Sequence, residues 1–399
     1  MLKQRLVVVG GSYAALNAAA AARDAGFDGT VTMVSQEAVP PYQRPPLSKA
    51  LLKDQIGVED LPLKGESFYR DQAIDLLLDR TATALDPVDR QLSLSDGSRL
   101  PYDRLVLACG ARPRRLEGAA DADILYLRDL SDALALRSRL AQAGSLLVLG
   151  GGYIGLEVAS AAAAMGLQVM LVAGRRRILA RCAPAVISDR LEARHRAAGV
   201  EIVAGVAVSA EGTRVTLADG RIFGADLIVA GLGAIPNSEL ASSAGLATGD
   251  GIEVDEFGQT SASDIYAVGD CASHVNLWAG ERTRLESVQN AVDQARAAGA
   301  TIAGKRTPYR AAPRFWSDQY DLKLQMVGLS AGAQHHELIA TTPTGCSFMH
   351  VRDERIIGVT SINDVRTQMW ARRSLADRPL PLAEASLPSP PPQAGAGAA

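Results

Sequence analysis

Gly150, Gly152 and Gly155, inside SLLVLGGGYIGLEVASAAAAMGLQVMLVA (145–173), carry the spacing G-x-G-x-x-G between an apolar strand-like run and an alanine-rich stretch. The first glycine permits a tight turn, the second lets backbone approach a pyrophosphate, and the third lets helix pack on strand. Tyr153 and Ile154 then occupy a helix N-terminus, whose free N–H groups and dipole favour anions. Residues 6–16, LVVVGGSYAAL, write the turn irregularly: Gly10 is in place, but Ser12 and Ala15 stand at the second and third glycine positions, with Tyr13 and Ala14 between them. Both replacements are small enough for helix and strand to pack. Ser12 sets a Cβ where backbone should come closest to phosphate, though its hydroxyl offers a donor instead. Taken alone, this turn leaves a phosphate cradle and a plain α/β turn both open.

After the complete motif, the strand QVMLVA ends at Ala173, where an NAD-binding unit normally carries an acid against the ribose 2′-hydroxyl. Gly174, Arg175, Arg176 and Arg177 follow. Without the acid a 2′-phosphate is not repelled, and guanidinium groups can grip it, so the segment points to NADPH over NADH; a solvated basic turn is the alternative. Asp270 follows the apolar run Ile265 to Val268, where a carboxylate is costly unless it is paired, bonded to ligand hydroxyls, or capping a helix.

The elements that must position these residues come in two similar sets. Each glycine turn sits in a strand–turn–helix–strand unit, and the two units lie about 140 residues apart, which implies two nucleotide-binding domains. Each unit is followed by a hairpin and a buried strand. RQLSLSDGSRLPYDRLVLACGARPR (90–114) turns at Asp96-Gly97 and leads through Ala108 to Gly110 and Arg112; RVTLADGRIFGADLIVAGLGAIPN (214–237) turns at Asp219-Gly220 and exits at Gly233. From 316 the pattern changes to antiparallel strands (LKLQMVGL, HELIATT, CSFMHVRD, RIIGVTSI) and a helix near 365–376. The expected fold is therefore α/β: two Rossmann-like dinucleotide-binding domains plus a C-terminal α+β domain. Residues 1–112 and 239–315 form one nucleotide domain, 113–238 the other, 316–382 the third domain, and 383–399, ending in LPSPPPQAGAGAA, a disordered tail.

Composition excludes several classes. Apolar residues make up 47% of the 399 and charged residues 21%, with a net charge of −3, so the chain as a whole has no electrostatic case for nucleic acid or an anionic membrane. The uncharged stretch 158–174 contains Ser160, Gly166 and Gln168 and is too short for a membrane span. Lys3 and Arg5 before an apolar run mimic a signal peptide, but cleavage there would remove the first strand and turn, so a cytoplasmic protein is expected. The four cysteines are widely separated, and the five histidines form no triad and no metal spacing; no metal is expected.

Six segments occur in order: PPYQRPPLSKALL (40–52), LVLACGARPR (105–114), GGGYIGLEVA (150–159), IYAVGDCA (265–272), RLESVQNAVDQA (284–295) and FWSDQYDLKLQMVGL (315–329). Together they resemble the FAD-containing ferredoxin reductases that feed electrons to bacterial Rieske dioxygenases and cytochrome monooxygenases, of the putidaredoxin reductase and biphenyl dioxygenase reductase type. Apoptosis-inducing factor shares part of the pattern, with a weaker fit at F-W-S-D-Q. The resemblance covers roughly residues 5 to 376 and implies a glutathione-reductase-like architecture.

The resemblance also implies roles. Arg44 and Lys49 would hold FAD near its phosphates and its ring, and Lys49 would pair with Glu157 beside the flavin N5, where hydride arrives; these two are the catalytic candidates. Asp270, with the backbone of Gly269, would bond the ribityl chain and pyrophosphate. Glu286, Asn290 and Gln294 match the E-S-x-x-N-A-x-x-Q helix that approaches isoalloxazine and nicotinamide, so Glu286, Ser287 and Val288 are cofactor candidates, and Trp316 matches an aromatic residue flanking the flavin. Where an acid would bind the adenosine ribose, this chain has Gln36, with Glu37 adjacent. The usual A-T-G is Ala108-Cys109-Gly110.

The implied reaction is hydride transfer from NAD(P)H to FAD, then release of single electrons to a small acidic 2Fe-2S ferredoxin. Arg296, Arg310, Arg314, Arg372 and Arg373 are candidates for the docking face, on a monomer or homodimer. A flavin disulfide reductase would need a redox cysteine near the first helix, and none precedes Cys109. A direct NAD(P)H oxidase and a non-catalytic nucleotide-sensing protein that has lost FAD remain as rivals.

Overall fold

The computed structural model describes residues 4–120, 123–174, 177–180 and 182–387. Apolar runs become central parallel strands. In the first sheet the order is Ile265–Ala267, Arg104–Leu107, Arg5–Val9, Thr30–Val34, Ile74–Leu77, all parallel. In the second it is Glu201–Ala204, Gln168–Ala173, Ser145–Leu149, Leu227–Ala230, again parallel. In each sheet the strand that precedes the glycine turn has a later strand on one side and its own unit's second strand on the other. Both turns therefore stand at a topological switch point, where such sheets open a crevice. Strands buried on both faces read as continuous apolar runs, and Leu105, Val106 and Leu107 are fully buried.

Each sheet carries a three-stranded antiparallel ribbon: Ala82–Asp86, Gln91–Leu94 and Arg99–Pro101 in the first half, Ala207–Glu211, Arg214–Leu217 and Ile222–Gly224 in the second. Ala111–Pro113 pairs antiparallel with Ala234–Pro236 where the chain passes between the halves. The helix Tyr13–Asp24 buries Ala14, Ala15, Ala18, Ala19 and Ala22, and this small face lets the helix Val288–Ile302 approach closely. A Cβ on Gly299 would lie 2.5 Å from the Ala18 carbonyl oxygen.

The third sheet has the strands Arg314–Gln319, Leu322–Gly328, Arg355–Ile362, Cys346–Arg352 and His335–Thr341 in that order, antiparallel, with Leu380–Pro381 added beside Arg355–Ile362. The helix Val365–Ser374 contributes buried Ala371 to a cluster with Val327, Met349 and Val359. Of the tail expected from 383, residues 388–399 lie outside the described residues; before them, Leu382–Glu384 forms a short turn and Leu382 packs on this cluster.

Candidate functional site

Ser12 caps the first alanine-rich helix in extended conformation, but its side chain does not bond the helix N–H groups. Its Oγ accepts from Arg44 Nε at 3.1 Å. The Arg44 guanidinium continues to the Arg128 carbonyl at 2.8 Å and to Glu37 Oε1 at 2.5 Å, while the Tyr42 hydroxyl donates to the other Glu37 oxygen. So the acid engaged near this turn is Glu37, whereas Gln36 is exposed. Gly10 has φ of +142°, and a Cβ there would sit 2.4 Å from the Ala108 carbonyl oxygen. Gly11, which carries no motif position, is equally constrained: its Cβ would strike Ser35 Oγ at 2.1 Å.

The Gly269–Cys271 turn faces this helix, with a Cβ on Gly269 only 3.0 Å from Ala14. Asp270 caps no long helix; it accepts from Arg128 Nη2 at 3.0 Å. Gly110, at φ +66°, lies beside the same arginine, and its carbonyl accepts from Asn237 N at 3.0 Å. Arg112 is turned to the junction between halves, donating to Asn237 Oδ1 at 2.9 Å and Glu239 Oε1 at 2.6 Å. Gly233 accepts from Arg114 N in the same ribbon.

In the second unit the complete motif serves packing first: a Cβ on Gly150 would meet Gly231 O at 2.3 Å and one on Gly155 would meet Gly150 O at 2.2 Å. A Cβ on Gly152, the helix cap, would meet nothing nearer than Gly231 O at 3.9 Å among the described residues, which leaves room at the turn for a phosphate. Ile154 is exposed beside it. Arg175 and Arg176 lie outside the described residues. Arg177 is committed locally, donating to the Ala183 carbonyl at 2.7 Å and to Ser188 Oγ at 2.6 Å.

The most concentrated polar cluster joins three segments. Glu157, 4% exposed, holds Lys49 Nζ at 2.8 Å and Ser48 Oγ at 2.5 Å on Oε2, and Ser317 Oγ at 2.5 Å on Oε1. A buried carboxylate is tolerable only with such a complement of charge and donors. Ser48 and Ser317 lie inside the R-P-P-L-S-K and F-W-S-D-Q motifs, yet neither has a sequence signal of its own. One turn before Glu157, the Tyr153 ring lies 4.3 Å from that of Phe315, and burial holds the Tyr153 phenol well above its ordinary pKa.

Trp316 is on the other side of its strand from Ser317. With Val288, Asp293, Arg296, Arg314 and Arg372 it lines an open groove of about 630 Å³. Arg310 and Arg373 are exposed but do not line the groove. Ser287 caps the groove's helix through Asn290 N, and Glu286 accepts from Arg284 at 2.6 Å. Within that helix, Asn290 Oδ1 and Gln294 Nε2 are buried with no partner among the described residues, while Gln294 Oε1 accepts from Gly269 N at 2.9 Å.

These residues could hold a flavin dinucleotide. Free helix N–H groups, the Ser12 hydroxyl and Arg44 suit a pyrophosphate; the Asp270 carboxylate suits a polyhydroxyl chain; the orphaned amide groups mark a place built for further polar contacts. Among the described residues no group of His, Cys, Asp and Glu could hold a metal, and no helix is long and apolar enough to cross a membrane. Burial raises the Cys109 thiol well above its usual range and that of Cys271 to about 11, so neither is a poised thiolate.

Residues 4–295 match the model of the pyridine nucleotide-disulphide oxidoreductases, and 314–389 that of the reductase C-terminal domain. The chain belongs to the pyridine nucleotide-disulphide oxidoreductase family. Within it, the chain is 40% identical to rhodocoxin reductase of Rhodococcus erythropolis over 380 residues, 93% of this chain and 89% of that one. It is 39% identical to putidaredoxin reductase of Pseudomonas putida over 389 residues, 94% and 92% of the two chains. The covalent putidaredoxin reductase–putidaredoxin complex superposes with a TM-score of 0.89 at 38% identity, covering 93% of each chain.

Proposed function

We propose that this protein oxidises NAD(P)H through FAD and passes electrons singly to a small iron–sulfur protein of an oxygenase system. The observation that carries the reading is the Lys49–Glu157 pair, held by two serines between the two switch-point turns. FAD, when bound, supplies the step from two-electron to one-electron chemistry. This chain's residues do the rest. Residues 1–112 with 239–315 hold the flavin dinucleotide, with Ser12, Arg44 and the Gly269–Asp270 turn at its phosphates and ribityl chain. Residues 113–238 hold the nicotinamide dinucleotide on the Gly150–Gly155 turn. Lys49 and Glu157 line the place where the two rings meet, and Tyr153 with Phe315 excludes water beside them. Residues 316–382 complete the docking face.

NADPH is the preferred donor, because Ala173 at the strand end is buried and brings no acid to the 2′ position. Ala173→Glu together with Arg175→Ala is expected to shift the NADPH/NADH efficiency ratio roughly tenfold toward NADH; an unchanged ratio refutes the assignment. The acceptor docks over the Trp316 groove through Arg296, Arg314 and Arg372. One relative is named a rubredoxin–NAD(+) reductase of Pseudomonas putida, at 39% identity. The deciding experiment therefore measures NADPH-driven reduction of a 2Fe-2S ferredoxin, a rubredoxin and oxygen by the FAD-loaded protein. Ferredoxin reduced fastest supports the reading. Oxygen reduced as fast as either protein favours an oxidase, and a protein that takes up no flavin sinks the reading.

A further inference from the structure

His195 has no motif around it, yet it is completely buried, and it begins a chain of polar contacts that ends on Glu157. Its Nε2 lies 2.9 Å from Gln319 Oε1, Gln319 Nε2 lies 3.1 Å from Ser317 Oγ, and Ser317 Oγ lies 2.5 Å from Glu157 Oε1. On the other side, His195 Nδ1 is 3.1 Å from the Tyr320 hydroxyl. Ser317 and Gln319 are 0% and 1% exposed, so water does not compete for these contacts. The directions follow from the acceptor at the end. A carboxylate only accepts, so Ser317 donates to it; Ser317 then accepts from the Gln319 amide N–H, which turns Gln319 Oε1 toward His195. His195 must donate from Nε2, and its bare Nδ1 accepts from Tyr320. Every donor points toward Glu157, an alignment in which each bond polarises the next.

We propose that His195 is a positioning residue for Glu157, acting through Gln319 and Ser317 to hold the carboxylate in one orientation beside the flavin. This rests on the preceding reading for the flavin, but the chain itself does not. It ties the helix Ala185–Ala197 to the helix Tyr153–Ala164 by way of the strand Arg314–Gln319. Burial holds His195 below its ordinary pKa, so the ring is neutral and has one N–H to place. Among the described residues, the other charged or titratable groups facing the chain include Lys49 and Tyr153 at the Glu157 end, and at the His195 end Arg194, over the Tyr320 ring at 4.3 Å, its partner Asp321 at 2.6 Å, and Glu192.

The test uses FAD-loaded protein carrying His195→Phe, His195→Gln, Ser317→Ala and the double variant His195→Phe with Ser317→Ala. The readouts are the flavin midpoint potential, and kcat and KM for NADPH. His195→Phe is expected to shift the flavin midpoint potential and to lower kcat severalfold at unchanged KM. His195→Gln, which keeps an N–H donor, restores both. Ser317→Ala reproduces the shift, and adding His195→Phe to it changes nothing further. An unaltered potential and kcat in His195→Phe, or additive effects in the double variant, overturns the proposal. Should His195→Phe not fold, the ring nitrogen-15 signals of His195 decide: a fixed Nε2–H tautomer that is lost in Ser317→Ala supports the chain, and one that persists overturns it. That measurement needs no flavin, so a protein that binds none fails the functional reading without obscuring this one.

Discussion

Lys49 and Glu157 are unequal partners, and the inequality is measurable. The Glu157 side chain is 3% exposed and that of Lys49 is 18% exposed. Lys49→Met leaves a buried carboxylate with two serine donors and no cation, and breaking a buried pair from this side is expected to cost about 3–5 kcal/mol. Glu157→Gln leaves an ammonium that reaches water, and its cost is expected to be about 1 kcal/mol. Urea unfolding of both variants checks this; equal losses would mean that the pair is solvated. At this scale the sequence was partly legible. Glycine spacing and the family motifs pointed to Lys49, Glu157 and Asp270. They could not point to Ser48, Ser317 or Arg128, because a serine or arginine acquires its role only from the acid that folding brings beside it. The resemblance set Gln36 at the ribose acid's position with Glu37 adjacent, and of the two it is Glu37 that pairs with Arg44 and Tyr42.

Two elements depend on contacts that only the fold reveals. In the helix Val288–Ile302, Gly299 lies against the backbone of the first alanine-rich helix, where a Cβ would meet Ala18 O at 2.5 Å and Ala22 N at 2.9 Å. Backbone cannot rotate away as a side chain can, so Gly299→Val is expected to separate the helices, destabilise the protein by about 1–3 kcal/mol and weaken FAD uptake. Thermal unfolding and flavin titration read the two effects. In the C-terminal sheet His350 is 1% exposed, bonded to Thr360 Oγ1 at 2.7 Å and to His336 Nδ1 at 3.0 Å, and burial lowers its pKa to about 3. The folded state therefore binds fewer protons than the unfolded chain between the ordinary histidine pKa and that value. Stability is full above pH 6.5 and falls with acidification, by about 2 kcal/mol at pH 5. His350→Gln should flatten this loss between pH 7.5 and pH 5 in urea titrations. The long apolar strands were plain in the sequence. The strand Arg314–Gln319 was not identified as one, because it buries Ser317 and Gln319 while Asp318 faces out, so its polar alternation runs against the usual signal.

Across the whole molecule, the duplicated strand–turn–helix pattern made the architecture readable, whereas the surface where its parts converge was not. The groove proposed above as the docking face is only weakly basic. Arg296, Arg314, Lys323 and Arg372 line the groove, but so do Asp293, Asp318 and Asp321. Asp293 lies 3.2 Å from Arg314 and 3.9 Å from Arg296, which leaves Arg372 as the groove arginine with no acid within ion-pair distance among the described residues. Net attraction of an acidic partner should then depend on few charges, and salt should weaken association modestly rather than steeply. Arg372→Glu is expected to raise the KM for a 2Fe-2S ferredoxin about tenfold, about 1.4 kcal/mol, and to flatten its salt dependence further. Reduction of ferricyanide, a small acceptor needing no docking face, should be unchanged in the same variant. A ferredoxin KM unaffected by Arg372→Glu would move the docking surface away from Trp316, toward the exposed Arg310 or Arg373.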